Sequence, residues 1–253
     1  AQLREIAAAR QVAALGLDNL AAGLAQLDAG RAVLLAALVT WLLARGLLAR
    51  GFEKGDRIGV WAPNLIEWVL MQYATAKVGV IQVNINPAYR ANELAFALKH
   101  SGCKGLVAAR RFKTSDYVQM LGMVRDQCPA LSEVIFLDEE GQAGDWARLL
   151  ADGESTAPGA VAERMATLKP HDPINIQYTS GTTGAPKGAT LSHHNIINNA
   201  YFDGLNISIK QSDRFCVPVP FYHCAGMVCG NLLCTVFGAT LVVPSAAFDP
   251  GET

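Results

Sequence analysis

The chain has 253 residues, 51% of them hydrophobic and 17% charged, which is enough to bury a substantial core as one large domain or two small ones. Lys and Arg total 21 against 22 Asp and Glu, a formal charge of -1 at pH 7, so no overall footprint for nucleic acid or an anionic membrane exists and any attraction for an anion has to be local. The longest apolar run, Ala32 to Ala44, is closed by Arg31 and Arg45 after thirteen residues, too short to span a bilayer. The first residues carry Arg4, Glu5 and Arg10 in an alanine-rich pattern unlike a secretory signal, which makes a cytoplasmic location the expectation.

Alanine and leucine fill 28 of the first 50 positions and no proline occurs before Pro63, so residues 1–56 are expected to be helical. From Arg57 the pattern changes to short apolar runs alternating with amphipathic ones. Strands are expected at Arg57–Ala62, Val80–Val83, Gly105–Ala108 and Glu133–Leu137, and helices at Asn64–Lys77 (opened by Asn64), Asn92–His100 and Thr114–Gln127. Strand and helix in turn predict an α/β fold of βαβ units with a largely parallel sheet. Residues 139–172, with scattered Gly, Pro, Asp and Glu, read as a surface excursion closing a first α/β subdomain, 57–172. A strand at Pro173–Tyr178, a second at Gly188–Leu191 and a helix from a Ser192 cap to about Leu205 begin the last segment, 173–253.

Between those two strands lies Thr179-Ser180-Gly181-Thr182-Thr183-Gly184-Ala185-Pro186-Lys187-Gly188. Four hydroxyls and unencumbered glycine amides can surround anionic oxygens, and Lys187 adds a mobile positive charge, so the loop suits phosphate. It is not a Walker loop, because Pro186 stands where the second glycine of that motif belongs and Gly188 where its hydroxyl belongs. It leaves from the carboxyl end of a strand, where ligands gather in open α/β sheets. His193 and His194 are neighbours about 100° apart on a helix and cannot easily chelate together. Cys103, Cys128, Cys216, Cys224, Cys229 and Cys234 show no C-x-x-C pair among the last four and sit in apolar sequence, which predicts reduced cysteines packed as small hydrophobes.

Tyr178 through Gly188, YTSGTTGAPKG, resembles the signature loop of the adenylate-forming superfamily of acyl-CoA synthetases, luciferases and peptide-synthetase adenylation domains. Gly55-Asp56-Arg57-Ile58-Gly59-Val60 with Pro63-Asn64, and Asn84-Ile85-Asn86-Pro87-Ala88-Tyr89-Arg90, are similar to acyl-CoA synthetases, especially the medium-chain group known as acyl-CoA synthetase family member 2. The likeness starts near residue 38. The segment before it lacks the aromatic-containing strand such enzymes have ahead of their first helix.

The resemblance implies an ATP-dependent carboxylate-CoA ligase of fatty acid metabolism that works through an acyl-adenylate. It implies Thr179, Ser180, Gly181, Thr182, Thr183, Gly184 and Lys187 as nucleotide ligands, with Lys187 neutralising phosphate charge and Thr182 or Thr183 on the Mg²⁺ side. Pro218-Val219-Pro220-Phe221-Tyr222-His223 matches the family segment that brings an aromatic or histidine side chain between acyl group and nucleotide, which gives His223 a positioning role. An ionised carboxylate needs no base to attack. His223, Ala225, Gly226 and Gly230 are expected to border the acyl pocket, close packing of a buried helix being the other reading of the small residues. ATP, Mg²⁺, coenzyme A and a carboxylic acid are the implied partners. Asp249-Pro250-Gly251-Glu252 reads as a helix start without a body, so the chain is expected to be the amino-terminal part of a ligase, without a carboxyl-terminal domain and inactive alone. A non-catalytic acyl- or nucleotide-binding module and an aryl-CoA ligase are the alternatives.

Overall fold

The computed structural model describes residues 29–137, 144–179 and 186–251. The expectation of helix therefore meets the structure only from residue 29, where α1, Ala29–Ala49, begins. Next come β1 (Arg57–Trp61), α2 (Ile66–Val78), β2 (Ile81–Asn84), α3 (Ala91–Ser101) and β3 (Gly105–Ala108). A two-residue hairpin, β4 (Arg111–Phe112) with β5 (Ser115–Asp116), leads into α4 (Tyr117–Val124) and then β6 (Glu133–Phe136). The remaining elements are α5 (Asp145–Ser155), α6 (Ala160–Met165), β7 (Pro173–Thr179), β8 (Lys187–Ser192), α7 (His193–Ile207), β9 (Arg214–Cys216), α8 (Cys224–Gly226, Met227–Leu232 and Leu233–Phe237 in unbroken succession) and β10 (Thr240–Val242).

Six strands make one sheet in the order β6-β3-β1-β2-β7-β8, parallel throughout except for the edge strand β8. Parallel strands are buried on both faces, and β1, β2 and β3 accordingly have hardly an exposed position, β1 and β3 being mostly apolar while β2 alternates Ile and Val with Gln82 and Asn84. Gly79 and Gly102 end α2 and α3 in the left-handed region (φ 70° and 61°), where glycine carries no Cβ penalty, and each releases the chain straight into the next strand. α3 and α4 cover one face: Trp61 stacks on Tyr117 of α4 with ring centroids 3.5 Å apart, and the Tyr117 hydroxyl donates to Pro87 O at 2.6 Å. Such a pair adds about 0.5–1.5 kcal/mol beyond the area it buries. α1, α2, α5 and α6 pack together as a second helical layer, and β9 pairs with β10 in a separate parallel ribbon.

Three expectations need correction. Asn64 does not open α2. The helix starts at Ile66 with Leu65 in the cap position and no side-chain cap, because the Asn64 carboxamide is drawn inward to other partners. Residues 144–172 are no surface excursion either, since α5 and α6 bury Trp146, Leu149 and Val161 against the helical layer. α5 presents Trp146, Leu149, Leu150 and Gly153 as one buried stripe, the glycine letting it approach α1 closely. β7 and β8 then join the same sheet as β2, so the sheet is not divided at residue 172. Among the cysteines all six are free, and Cys103, Cys128 and Cys234 are buried as expected, but Cys216 and Cys224 are exposed.

The α1–α5 contact depends on Gly46 and Gly153. A Cβ on Gly46 would run into the Leu149 carbonyl, and one on Gly153 into the Leu42 carbonyl. Backbone cannot rotate away, so Gly153→Ala should force the two helices apart and lower stability by about 1–3 kcal/mol. Gly122 in α4 is exposed with nothing near its missing Cβ. Gly122→Ala should raise stability by up to about 1 kcal/mol through helix propensity alone. Urea midpoints of the two variants against the parent chain check both signs.

Candidate active site

β7 and β8 form a hairpin whose register places Thr179 opposite Lys187, so the backbone ladder closes across the two ends of the phosphate-type loop. Ser180, Gly181, Thr182, Thr183 and Gly184 lie outside the described residues. Of the expected nucleotide ligands the structure therefore describes Thr179 and Lys187, both exposed at the carboxyl end of the parallel sheet. Lys187 has no ion-pair partner among the described residues.

The hairpin is fastened underneath. Tyr178 donates its hydroxyl to Ala97 O at 3.0 Å and meets His100 Nδ1 at 3.1 Å, which ties the end of β7 to α3. Burial pushes the Tyr178 hydroxyl up to about 12, so it remains a donor across the neutral range. Beyond the hairpin, Ser192 caps α7 as expected: its Oγ accepts from Asn195 N at 3.2 Å, and Asn195 Oδ1 accepts from Ser192 N at 2.9 Å. His193 and His194 diverge as the helical geometry requires. His194 meets His171 in a tilted ring contact with centroids 4.8 Å apart, while half-buried His193 has its pKa lowered, first by burial.

The second expected segment reaches the same end of the sheet by side-chain hydrogen bonds. Asn64, buried just past β1, donates from Nδ2 to Val219 O at 3.0 Å and accepts from Phe221 N at 2.8 Å through Oδ1. Asn84, the last residue of β2, donates to Tyr222 O at 3.1 Å. Because Asn84 is in register with Gln177, two residues before Thr179, these bonds bring the approach to His223 beside the loop strand. His223 is exposed, and its Nδ1 accepts from Ala225 N at 3.2 Å, making it the cap of α8. In the neutral ring that bond leaves the proton on Nε2. The structure thus brings Thr179, Lys187 and His223 to one end of the sheet.

Sequence reasoning passed over the carboxamides that do this. Gln82 and Asn84 on β2, with Asn175 and Gln177 on β7, form a buried block on one sheet face; Asn175 donates to Asn84 Oδ1 at 2.9 Å and Gln82 does so at 3.1 Å. The signal was available. Gln-x-Asn and Asn-x-Gln alternate with valine and isoleucine in both strands, and amides at period two in an apolar strand mark a buried polar face.

The residues expected to border an acyl pocket lie at the start of α8. α8 contains a π turn over Met227–Leu232, held to α2 by Asn231 Nδ2 donating to Gln72 Oε1 at 2.6 Å and by Tyr73 OH against Thr235 Oγ1 at 2.6 Å. Gly230 does not point into open volume, because a Cβ there would lie 2.7 Å from Val217 Cγ1. Gly226 presses on the backbone of Pro220 and Phe221, and Ala225 is half-buried beside His223. The glycines permit α8 to dock closely on residues 217–221, so ordinary close packing is the reading that fits them. Among the described residues no group of three His, Cys, Asp or Glu side chains suits a metal ion, so the described part offers no Mg²⁺ cradle and Thr182 and Thr183 stay outside it.

These features agree with what known proteins show. The family model described as AMP-binding enzyme matches residues 41–253. A zebrafish (Danio rerio) protein named medium-chain acyl-CoA ligase ACSF2, mitochondrial, is 44% identical over 223 residues, and the human protein of that name is 44% identical over 230. Each alignment covers 81% of this chain but 37% of the relative, so the chain spans little more than a third of the curated relatives it matches. Among solved structures, the inhibitor-bound N-terminal domain of FACL13 from Mycobacterium tuberculosis superposes with a TM-score of 0.70 at 28% identity, covering 85% of this chain and 50% of that one. A long-chain-fatty-acid-CoA ligase, FadD1 from Archaeoglobus fulgidus, gives 0.70 at 27%, covering 85% and 40%. With a sheet whose loop hairpin and histidine segment meet at one end, and a family model matched from α1 to the last residue, the chain belongs to the AMP-binding enzymes.

Proposed function

We propose that this chain carries the phosphate-handling and acyl-positioning part of an ATP-dependent carboxylate-CoA ligase. The observation that supports it most is the register of Thr179 with Lys187, which fixes the mouth of a hydroxyl- and glycine-rich loop beside the His223 segment. In the reaction a carboxylate oxygen attacks the α-phosphorus of ATP, the bond to the bridging oxygen breaks, and pyrophosphate leaves with the electron pair. The thiolate of coenzyme A then attacks the acyl carbon and AMP departs. Bringing an anion onto a polyanion needs fixed positive charge, and in this reading Lys187 supplies it at the developing pyrophosphate. Mg²⁺, when bound, would neutralise phosphate charge from the nucleotide side.

His223 serves position rather than proton transfer. Its Nδ1 is engaged by the Ala225 amide, and the attacking carboxylate is already ionised. The names of the curated relatives favour an aliphatic medium-chain acid as substrate. Pyrophosphate release measured on a panel of alkyl and aryl carboxylates with the full-length protein tests both the reaction and this choice, and release with aryl acids alone would transfer the assignment to an aryl-CoA ligase.

Lys187→Ala should slow pyrophosphate release by on the order of a hundredfold while leaving the thermal midpoint unchanged, as loss of transition-state electrostatics does at an exposed loop residue. His223→Ala should depress turnover for every chain length alike. Gly230→Leu should do so too, because overpacking against Val217 loosens α8 as a whole; a shift toward shorter acids would instead mean that position 230 borders the tail. The 253-residue chain alone should bind ATP weakly, discriminate little between bases and make no acyl-CoA, since the loop by itself cannot hold the triphosphate to the tolerance of in-line attack. Equilibrium dialysis with ATP and GTP and a coupled acyl-CoA assay read those outcomes directly.

A further inference from the structure

Residues 218–222 carry two prolines, Pro218 and Pro220, which have no N–H to donate. The described backbone bonds give it little: Val217 N just before it reaches Val242 O, and within it Pro220 O accepts from His223 N in a single turn. A segment that cannot secure itself through a ladder has to be secured by side chains. Asn64 and Asn84 do so, one carboxamide bracketing Val219 O and Phe221 N, the other taking Tyr222 O. Both side chains are buried, at 6% and 2% exposure, where a carboxamide without partners is costly, so the fit is demanding on both sides.

We propose that Asn64 and Asn84 are positioning residues for His223, a two-point carboxamide clamp that sets where the imidazole stands at the end of the sheet. The clamp ends one residue before His223, whose Nδ1 in turn holds the Ala225 amide. Asn84 also accepts from Gln82 and Asn175, so its own amide is locked in one orientation. Asn64 is bound at its backbone as well, donating from N to Ala246 O at 2.9 Å. The hydrogen bonds of both carboxamides go to protein partners. Both residues act through His223, and their catalytic consequence rests on the ligase reading above.

The test has one arm that needs no catalysis. In the 253-residue chain, Asn64→Asp keeps the size and the acceptor for Phe221 N–H but loses the donor to Val219 O; Asn64→Leu loses both, and Asn84→Leu removes the second point. Hydrogen exchange of the Ala225 amide should accelerate about tenfold in each variant while the amides of α3 keep their rates, because a local clamp opens without global unfolding. In the full-length protein the same variants should lose about tenfold in kcat for pyrophosphate release with the KM for ATP unchanged. Unchanged Ala225 exchange in Asn64→Asp and Asn84→Leu would overturn the proposal, as would equal acceleration across the whole chain. Absence of pyrophosphate release from the parent protein with every carboxylate would sink the ligase reading, and the exchange result would still decide the clamp.

Discussion

A carboxamide buried against a parallel sheet is costly without hydrogen-bond partners, and in this chain the pairing of Asn64 and Asn84 with the 218–222 segment assembles the site, although Gln82 Oε1 and Asn175 Oδ1 in the same block have no partner among the described residues. Gln82, Asn84, Asn175 and Gln177 occupy one face of β2 and β7 where apolar residues would pack without specificity. An unsatisfied buried amide costs about 1–3 kcal/mol, so the element that covers this face must present matching groups in one register. The 218–222 segment and the start of α8 do so with Tyr222 O and the Met227 sulfur. Asn64 adds the second anchorage from the end of β1. The polar face therefore specifies how α8 docks, where a greasy face would tolerate sliding.

α8 answers with small residues and an irregular turn. Gly226 and Gly230 bring its backbone close to residues 217–221, and the π turn offsets Asn231 toward Gln72 of α2. π turns inside α-helices concentrate at functional sites. Here the turn lets one helix satisfy the sheet face, α2 and the His223 cap together, although a regular helix has higher intrinsic stability. On the opposite face, the Tyr178 hydroxyl on α3 fixes the strand that carries the loop. The two halves of the site are thus held by different layers of the fold and meet at the carboxyl ends of β2 and β7.

Electrostatics at that end are sparse. The chain is nearly neutral, so a polyanion is met by local groups, and Lys187 stands at the loop hairpin without a competing carboxylate bound to it among the described residues. An ammonium on a flexible stem suits a loop that must receive and release phosphate, because it neutralises charge as a point without the rigid bidentate geometry of arginine.

The sequence by itself determined the βαβ alternation, the six strands of the main sheet, the Ser192 cap and the identity of the loop, because periodicity, capping and turn chemistry are local properties that need no neighbour to be read, while the short strands β4, β5, β9 and β10 went unread. It located Lys187 and His223 through motifs. It did not disclose that Asn64 leaves the helix start to reach residues more than 150 positions away, that Gly230 faces Val217, or that residues 144–172 are packed helices docked through Gly46 and Gly153. Those outcomes depend on which surfaces meet. A side chain's best hydrogen-bond partner and the side to which a glycine opens are set by distant chain segments, so only the tertiary structure could decide that two asparagines of the first half hold the histidine of the second.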